Sequence, residues 1–271
     1  MLEVYYLEEA DSICSNRVIM TLVDKEIKDW TPHKMVLMNR DQFRPEYLVL
    51  NPKAQVPTLV HDGRVVRESS IISNYLDDLK PMPALKPADP VDRAHMQEWI
   101  KDSDESGYQA IASINFVTKF RLEIPRDKME ERWKAVTDIE RLHRQQSCVR
   151  EGLDSPYVLR GIGACDRILG KVETALSDGR PWIMGDQYTL IEPNLAPFFK
   201  VLDLLRLLHL WLEGRPHAQA WWSRLTSRAS YKALEEYPGQ SENDEAPHAK
   251  AGRVVADKFA ELLNHYRTTI P

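Results

Sequence analysis

The chain has 271 residues, which at about 150 residues per domain predicts two domains whose interiors need no disulfide support. Apolar residues make up 43% and charged residues 28%, the mean hydropathy is -0.45, and no apolar run approaches the roughly 18 residues that span a bilayer, so a membrane protein is not expected. With 36 Lys and Arg against 41 Asp and Glu the net charge is -5, which leaves no cationic excess for phosphates and argues against general nucleic-acid binding.

The opening MLEVYYLEEADS carries no basic stretch ahead of an apolar core, so no secretory signal is expected there. Residues 2–7 (LEVYYL) are rich in β-formers, and residues 15–27 set Val18, Ile19, Leu22, Val23 and Ile27 at helical spacing, which predicts a strand followed by a helix. Residues 34–38 (KMVLM) predict a second strand and 45–50 a short helix. Strands at 58–61 and 64–66 form a hairpin around Asp62-Gly63. A helix over 68–79, with Ile71, Ile72, Tyr75, Leu76 and Leu79 on one stripe, completes a small mixed sheet with helices on its faces.

Residues 81–90 contain four prolines and read as a stiff linker between a first domain, 1–80, and an all-helical second domain, 91–271. Helices are expected at about 90–120, 127–150, 156–177, 189–211 and 216–235. Residues 239–251 are polar and are expected to be mobile. Residues 253–266 place Val254, Val255, Phe259, Leu262 and Leu263 on a terminal helix that packs back on the body. Cys14, Cys148 and Cys165 are odd in number and far apart, which fits a reducing cytoplasm. The eight histidines form no ligand-spaced cluster, so no metal is expected. Gly161-Ile162-Gly163 lacks the strand and third glycine of a dinucleotide loop and reads as a close helix contact.

Three stretches carry chemistry. Asp11-Ser12-Ile13-Cys14-Ser15-Asn16-Arg17-Val18 lies where the first strand meets the first helix. The unpaired N–H groups and positive dipole of a helix start stabilise an anion there, and a serine hydroxyl can add one donor. Taken alone, Ser12 or Ser15 is equally an ordinary N-cap. Gln55-Val56-Pro57-Thr58 puts a proline at the head of a strand, where a cis bond would present the Val56 backbone to an extended peptide, and where a trans proline is the commoner case. Glu68-Ser69-Ser70 opens a helix whose N–H groups and hydroxyls suit a carboxylate, with Glu68 suited to an ammonium.

In order and spacing these stretches resemble the N-terminal domain of cytosolic glutathione transferases. Ser-x-Cys-Ser-x-Arg-Val is similar to the serine-type active-site segment, Asn51 to Pro57 to the loop before a cis-proline, and Glu68 to Ile72 to the glutamyl-binding segment. Thr189-Leu190-Ile191-Glu192 resembles the family's buried capping box, and Arg215 through Arg228 its last core helix. NPKAQVPTLVHDGRVVRESSIISNYLDD and KPADPVDRAHMQEWIKDSDE resemble bacterial glutathione-dependent β-etherases, while the Ser-Ile-Cys-Ser wording resembles the zeta, maleylacetoacetate-isomerase-like class.

The resemblance implies a thioredoxin-like α/β domain followed by an all-α bundle, glutathione as co-substrate, a small aromatic electrophile as acceptor and a cytoplasmic homodimer. It implies Ser12 or Ser15 beside the sulfur, with Gln42, Gln55, Val56, Pro57, Glu68 and Ser69 around the rest of the tripeptide. Disulfide-reducing relatives carry a cysteine at the Ser12 position, two residues before Cys14, so the resemblance implies that Cys14 lies on the buried side of the turn. Tyr108, Ser113, Asn115, Phe116 and Trp133 are acceptor candidates, each also readable as core, and Trp221 and Trp222 are expected to be structural. The activity implied is cleavage of a lignin-derived β-aryl ether. General conjugation, dehalogenation, zeta-like isomerisation and a non-enzymatic binding module are the alternatives.

Overall fold

The computed structural model describes residues 1–121, 124–134, 136, 138–237 and 245–269. In the first part of the chain the elements are β1 (Leu2–Leu7), α1 (Ile13–Asp24), β2 (Thr31–Met35), α2 (Pro45–Leu50), β3 (Thr58–His61), β4 (Arg64–Arg67), α3 (Ser69–Leu79) and α4 (Pro90–Asp102). Helices α5 (Tyr108–Asn115), α6 (Arg126–Trp133), α7 (Ile139–Glu151), α8 (Pro156–Ala175), α9 (Ile191–Leu204), α10 (Leu208–Leu212), α11 (Pro216–Thr226), α12 (Ala229–Lys232) and α13 (Pro247–Thr269) follow. Two turns of wider, π-type winding, Ser103–Gly107 and Phe116–Phe120, flank α5. No helix among the described residues is long and apolar enough to cross a membrane.

The four strands lie in the order β2-β1-β3-β4, with β1 parallel to β2 and antiparallel to β3, and β3 antiparallel to β4. Leu2, Val4 and Tyr6 alternate into the core, as a half-buried strand requires. Asp62 (φ +49) and Gly63 (φ +76) are the left-handed pair of a two-residue hairpin. The second strand is Thr31–Met35, not 34–38. Pairing of Glu3–Leu7 with Thr31–Met35 sets its position, and Pro32 is tolerated because β2 is an edge strand.

Contacts divide the chain into two compact units, one of residues 1–101, 176–200 and 219–240, the other of 102–175, 201–218 and 241–271. In the first, α1 and α3 meet along a polar seam. Arg17 Nη1 donates to Ser69 Oγ (3.3 Å), Thr21 Oγ1 to Ser73 Oγ (3.0 Å) and Lys25 Nζ to Asp77 Oδ1 (2.5 Å). Each pair is 52 residues apart, so the two helices run parallel. The proline-rich residues 81–90 lie within this unit. Lys25 Nζ donates to the Pro83 carbonyl, Leu85 N–H to Asp77 Oδ1 (2.9 Å) and Leu190 N–H to the Leu85 carbonyl (2.9 Å).

Glu192, at the start of α9, forms the expected capping box. Its carboxylate accepts from Thr189 N–H (2.9 Å), Thr189 Oγ1 (3.1 Å) and Ile183 N–H (3.0 Å). Complete burial still outweighs these bonds and pushes its carboxyl up from 4.5 to about 7. Between those values the folded chain holds a proton that the unfolded chain has lost, so raising the pH across this window weakens the fold. The loss is about 1.4 kcal/mol per unit, or about 3 kcal/mol in all, and it levels off above pH 7. Denaturant titrations from pH 4.5 to 8 should show this slope, and Glu192→Gln should flatten it.

In the second unit, glycines set the helix spacing. A Cβ on Gly161 would stand 3.0 Å from the Ala110 carbonyl oxygen, so the Gly161-Ile162-Gly163 stretch is a close helix contact. On Gly252 of α13, a Cβ would stand 1.8 Å from the Leu205 carbonyl oxygen. Backbone cannot yield as a side chain tip can. Gly252→Ala should therefore separate α13 from the 201–218 segment and cost about 1–3 kcal/mol by thermal unfolding.

Several helices differ from expectation. The helix expected over 127–150 is two, because Asp138 caps a new start by accepting from Arg141 N–H (3.0 Å). The helix expected over 189–211 breaks at Arg206, whose φ is +58, and 216–235 divides before Ala229. The terminal helix runs from Pro247 to Thr269, longer than 253–266. Of the polar stretch 239–251, residues 239–244 lie outside the described residues, and those from Pro247 onward are helical.

Candidate functional site

Sheet register brings four chain segments to one end of the first unit. Leu7, where β1 ends, pairs with Met35, where the parallel β2 ends. Tyr5 pairs with Thr58, where β3 begins, and Thr58 with Arg67, where β4 ends. The connections 8–12, 36–44, 55–57 and 68–70 therefore all leave the same edge of the sheet. Because α1 and α3 run parallel, both begin there, and the partial positive charges of two helix starts add.

Ser12 occupies the N-cap position of α1 (φ -76, ψ 99). Its N–H donates to the Glu9 carbonyl (3.1 Å) and its carbonyl accepts from Asn16 N–H (3.1 Å), while its side chain makes no capping bond. The hydroxyl is not spent on the helix, and the first turn of α1 contains no acidic residue to neutralise the dipole. Ser15 differs. It is wholly buried, and its Oγ accepts from Leu7 N–H (3.0 Å), tying the helix to the strand it follows. Asn16 Nδ2 donates to the carbonyls of Glu9 (3.3 Å) and Ala10 (3.0 Å), fixing the intervening turn. Cys14 is half-buried rather than buried.

The Val56–Pro57 bond is cis, and Val56 lies outside both strand ladders. The Gln55 carbonyl ahead of it is held by Tyr47 Oη (2.5 Å) and Asn51 Nδ2 (2.9 Å), each of which also meets Thr58 Oγ1. Burial raises the Tyr47 phenol above its ordinary value, which keeps it a neutral donor. The Gln55 side chain is exposed. Gln42 is buried on the short turn Asp41–Phe43, and its Oε1 has no hydrogen-bond partner.

Glu68 adopts φ +66 and ψ +119, a region costly to any residue with a Cβ, of order 1–3 kcal/mol. Such strain is characteristic of ligand clamps. Its exposed carboxylate meets Lys53 Nζ at 2.6 Å. The next residue, Ser69, is buried, and because its Oγ accepts from Arg17 its own proton remains available to donate. Arg17 itself is 2% exposed, donates from Nε to the Asn194 carbonyl (2.8 Å) and stacks on Phe198 (4.5 Å). Sequence reasoning missed Arg17. A charge set among Val18, Ile19 and Leu22 on an apolar stripe was the available signal.

The glutathione S-transferase N-terminal domain family matches residues 11–79, and the glutathione S-transferase C-terminal domain family matches residues 140–222, together more than half of the chain. The chain belongs to the glutathione S-transferase family. The chain is 41% identical over 78 residues to protein LigF of Sphingobium sp., a match covering 28% of this chain and 30% of LigF. It is 36% identical over 105 residues to rat (Rattus norvegicus) maleylacetoacetate isomerase, covering 38% and 48%. These alignments thus span from under a third to about half of the relatives' own lengths. The crystal structure of β-etherase LigF superposes with a TM-score of 0.72 at 24% identity, covering 87% of this chain and 98% of that one. A Pseudomonas fluorescens transferase family member crystallised with two bound glutathiones superposes at 0.65 and 19% identity, covering 88% and 93%.

The residues that the sequence suggested for an acceptor all fall in the second unit. Tyr108 and Phe116 are half-buried, and the Phe116 ring stands 4.9 Å from that of Phe120. Ser113 is 1% exposed and donates back to the Gln109 carbonyl (2.8 Å), a helix-internal bond that occupies its proton. Asn115 and Trp133 are buried, yet Asn115 Oδ1 and Trp133 Nε1 have no partner. Trp221 is wholly buried and packs edge-on to Phe199, a core role. No group of metal-ligating residues forms among the described residues.

Proposed function

We propose that this transferase ionises glutathione and directs the sulfur at the β-carbon of an α-keto β-aryl ether. The observation that carries the reading is Ser12, a hydroxyl that makes no capping bond at a helix whose first turn holds no acidic residue, on the sheet edge from which Val56, Glu68 and Ser69 also emerge. A thiol of ordinary pKa near 8.5 is only a few per cent ionised at pH 7. Lowering it by about two units, ~2.7 kcal/mol, makes it mostly thiolate. Ser12 Oγ and the first-turn N–H groups of α1 supply that stabilisation.

At the far end of the tripeptide, Ser69 and the N–H groups of α3 hold the γ-glutamyl carboxylate, with Arg17 behind Ser69, and Glu68 meets the ammonium. Val56 pairs with the cysteinyl backbone, and Gln42 and Gln55 contact the remainder. Holding both ends aims the sulfur, and orientation of this kind accounts for much of a displacement's acceleration. A C–S bond forms as the C–O bond breaks, the electron pair leaves on the phenolate, and solvent protonates it. The products are a glutathione thioether and a phenol. The 41% identity to LigF over 78 residues supports this choice of acceptor.

Incubation with glutathione and a chromogenic β-aryl ether should release phenol and thioether in equal amounts. Absence of release from both enantiomers would remove the etherase reading. The likeness to maleylacetoacetate isomerase favours a second one, in which glutathione adds, permits a double bond to rotate, and departs unchanged. Glutathione consumption separates the two.

A further inference from the structure

Among the described residues of the second unit, the buried polar side-chain atoms without a hydrogen-bond partner are Asn115 Oδ1, Trp133 Nε1 and Arg144 Nε. All three lie on the stretch of chain that holds α5 to α7. Arg144, on α7, is 6% exposed; its Nη1 donates to Gln109 Oε1 (3.0 Å), and no carboxylate among the described residues stands within ion-pair distance. The acids near it in sequence are engaged or turned to solvent. Glu130 pairs with Arg126 (3.3 Å), Glu131 with Lys134 (2.6 Å), and Asp138 caps α7, while Glu140 and Glu151 are exposed.

Burial is the largest cause lowering the proton affinity of the Arg144 guanidinium and Arg141 adds to it, while Tyr108, Cys148 and Asp138 act the other way; burial and Arg141 also lower that of Arg132. A buried guanidinium with a free N–H and no carboxylate paired to it is costly unless something anionic comes to it. Helix α7 packs on α5 and on the Phe116–Phe120 turn, which carry the half-buried aromatic rings of Tyr108 and Phe116. The π-type turns on either side of α5 are the kind of helix irregularity that recurs at functional sites.

We infer that this part of the second unit binds an aromatic carboxylate, with Arg144 Nε as the donor that selects the anion. As the acceptor class of the transferase reaction, this rests on the reading above; as a binding site, it does not. Tryptophan fluorescence titrations of the full chain with para-methoxybenzoate and with its methyl ester test it. The acid should bind about tenfold more tightly than the ester at neutral pH. Arg144→Gln should bring the two affinities together. Arg144→Lys should keep part of the preference, since the charge stays and the planar fork is lost. Glutathione affinity should be unchanged in both variants.

Equal binding of acid and ester by the unaltered chain, no binding of the acid, or a preference that survives Arg144→Gln would each overturn the inference. The first two need no variant to fold. A chain that binds glutathione without preferring the carboxylate sinks this inference alone, whereas one that binds the carboxylate but not glutathione sinks the transferase reading alone.

Discussion

Ser12→Ala is expected to slow glutathione-dependent turnover by up to about 25-fold at pH 7, with much of the rate returning in alkaline solution. The Ser12 hydroxyl stands at the N-cap of α1 and makes no capping bond. A thiol pKa returned by as much as two units, from about 6.5 to about 8.5, lowers the thiolate fraction at pH 7 from about three quarters to about three per cent. The ultraviolet absorbance of the bound thiolate, followed against pH, should move with the rate. Ser15→Ala is the contrasting variant. Its hydroxyl accepts from Leu7 N–H inside the core, so its loss should cost about 1–3 kcal/mol of stability and leave the pH profile in place. A thiolate titration unmoved by Ser12→Ala would remove Ser12 from the mechanism.

Asp77→Ala should be the most damaging single change to the fold, at about 3–5 kcal/mol. Asp77 Oδ1 receives both Lys25 Nζ and Leu85 N–H, and Lys25 is 0% exposed. Without its partner the ammonium is left buried with the Pro83 carbonyl as its remaining acceptor, and the 81–90 segment loses one of its ties to α3. Replacing both members together, Lys25→Met with Asp77→Leu, removes the orphaned charge and should cost markedly less, because a well-packed apolar pair often matches a buried ion pair. Chemical denaturation of the single and double variants measures the difference. A double variant as weak as Asp77→Ala would mean that the Leu85 and Pro83 bonds, rather than the charge, hold this corner.

Much of the first unit is written in local pattern. LEVYYL, the Asp62-Gly63 turn and the apolar stripe of 69–79 each report their own conformation, because side-chain alternation, left-handed φ values and helical spacing are properties of neighbours in the chain. The same holds for Ser12 as a helix start and for Thr189 with Glu192 as a capping box. The family also follows from local wording, since its three motifs are short and come in order.

Long-range pairing decided the rest. Residues 34–38 have the better β composition, yet β2 is 31–35, because the parallel register with β1 outweighs a propensity difference that a neighbouring strand can override. The wording left Ser12 and Ser15 equivalent, and they part company only because Leu7, eight residues upstream of Ser15, turns an N–H toward one of them. Arg17 at Ser69, Lys25 at Asp77 and the free Nε of Arg144 depend on which helices lie side by side. Composition and periodicity are sums over near neighbours, while the state of a buried charge depends on partners tens of residues away. The chemistry available at a helix start is therefore readable from the chain alone, and the partners that leave one hydroxyl or guanidinium free to use it are not.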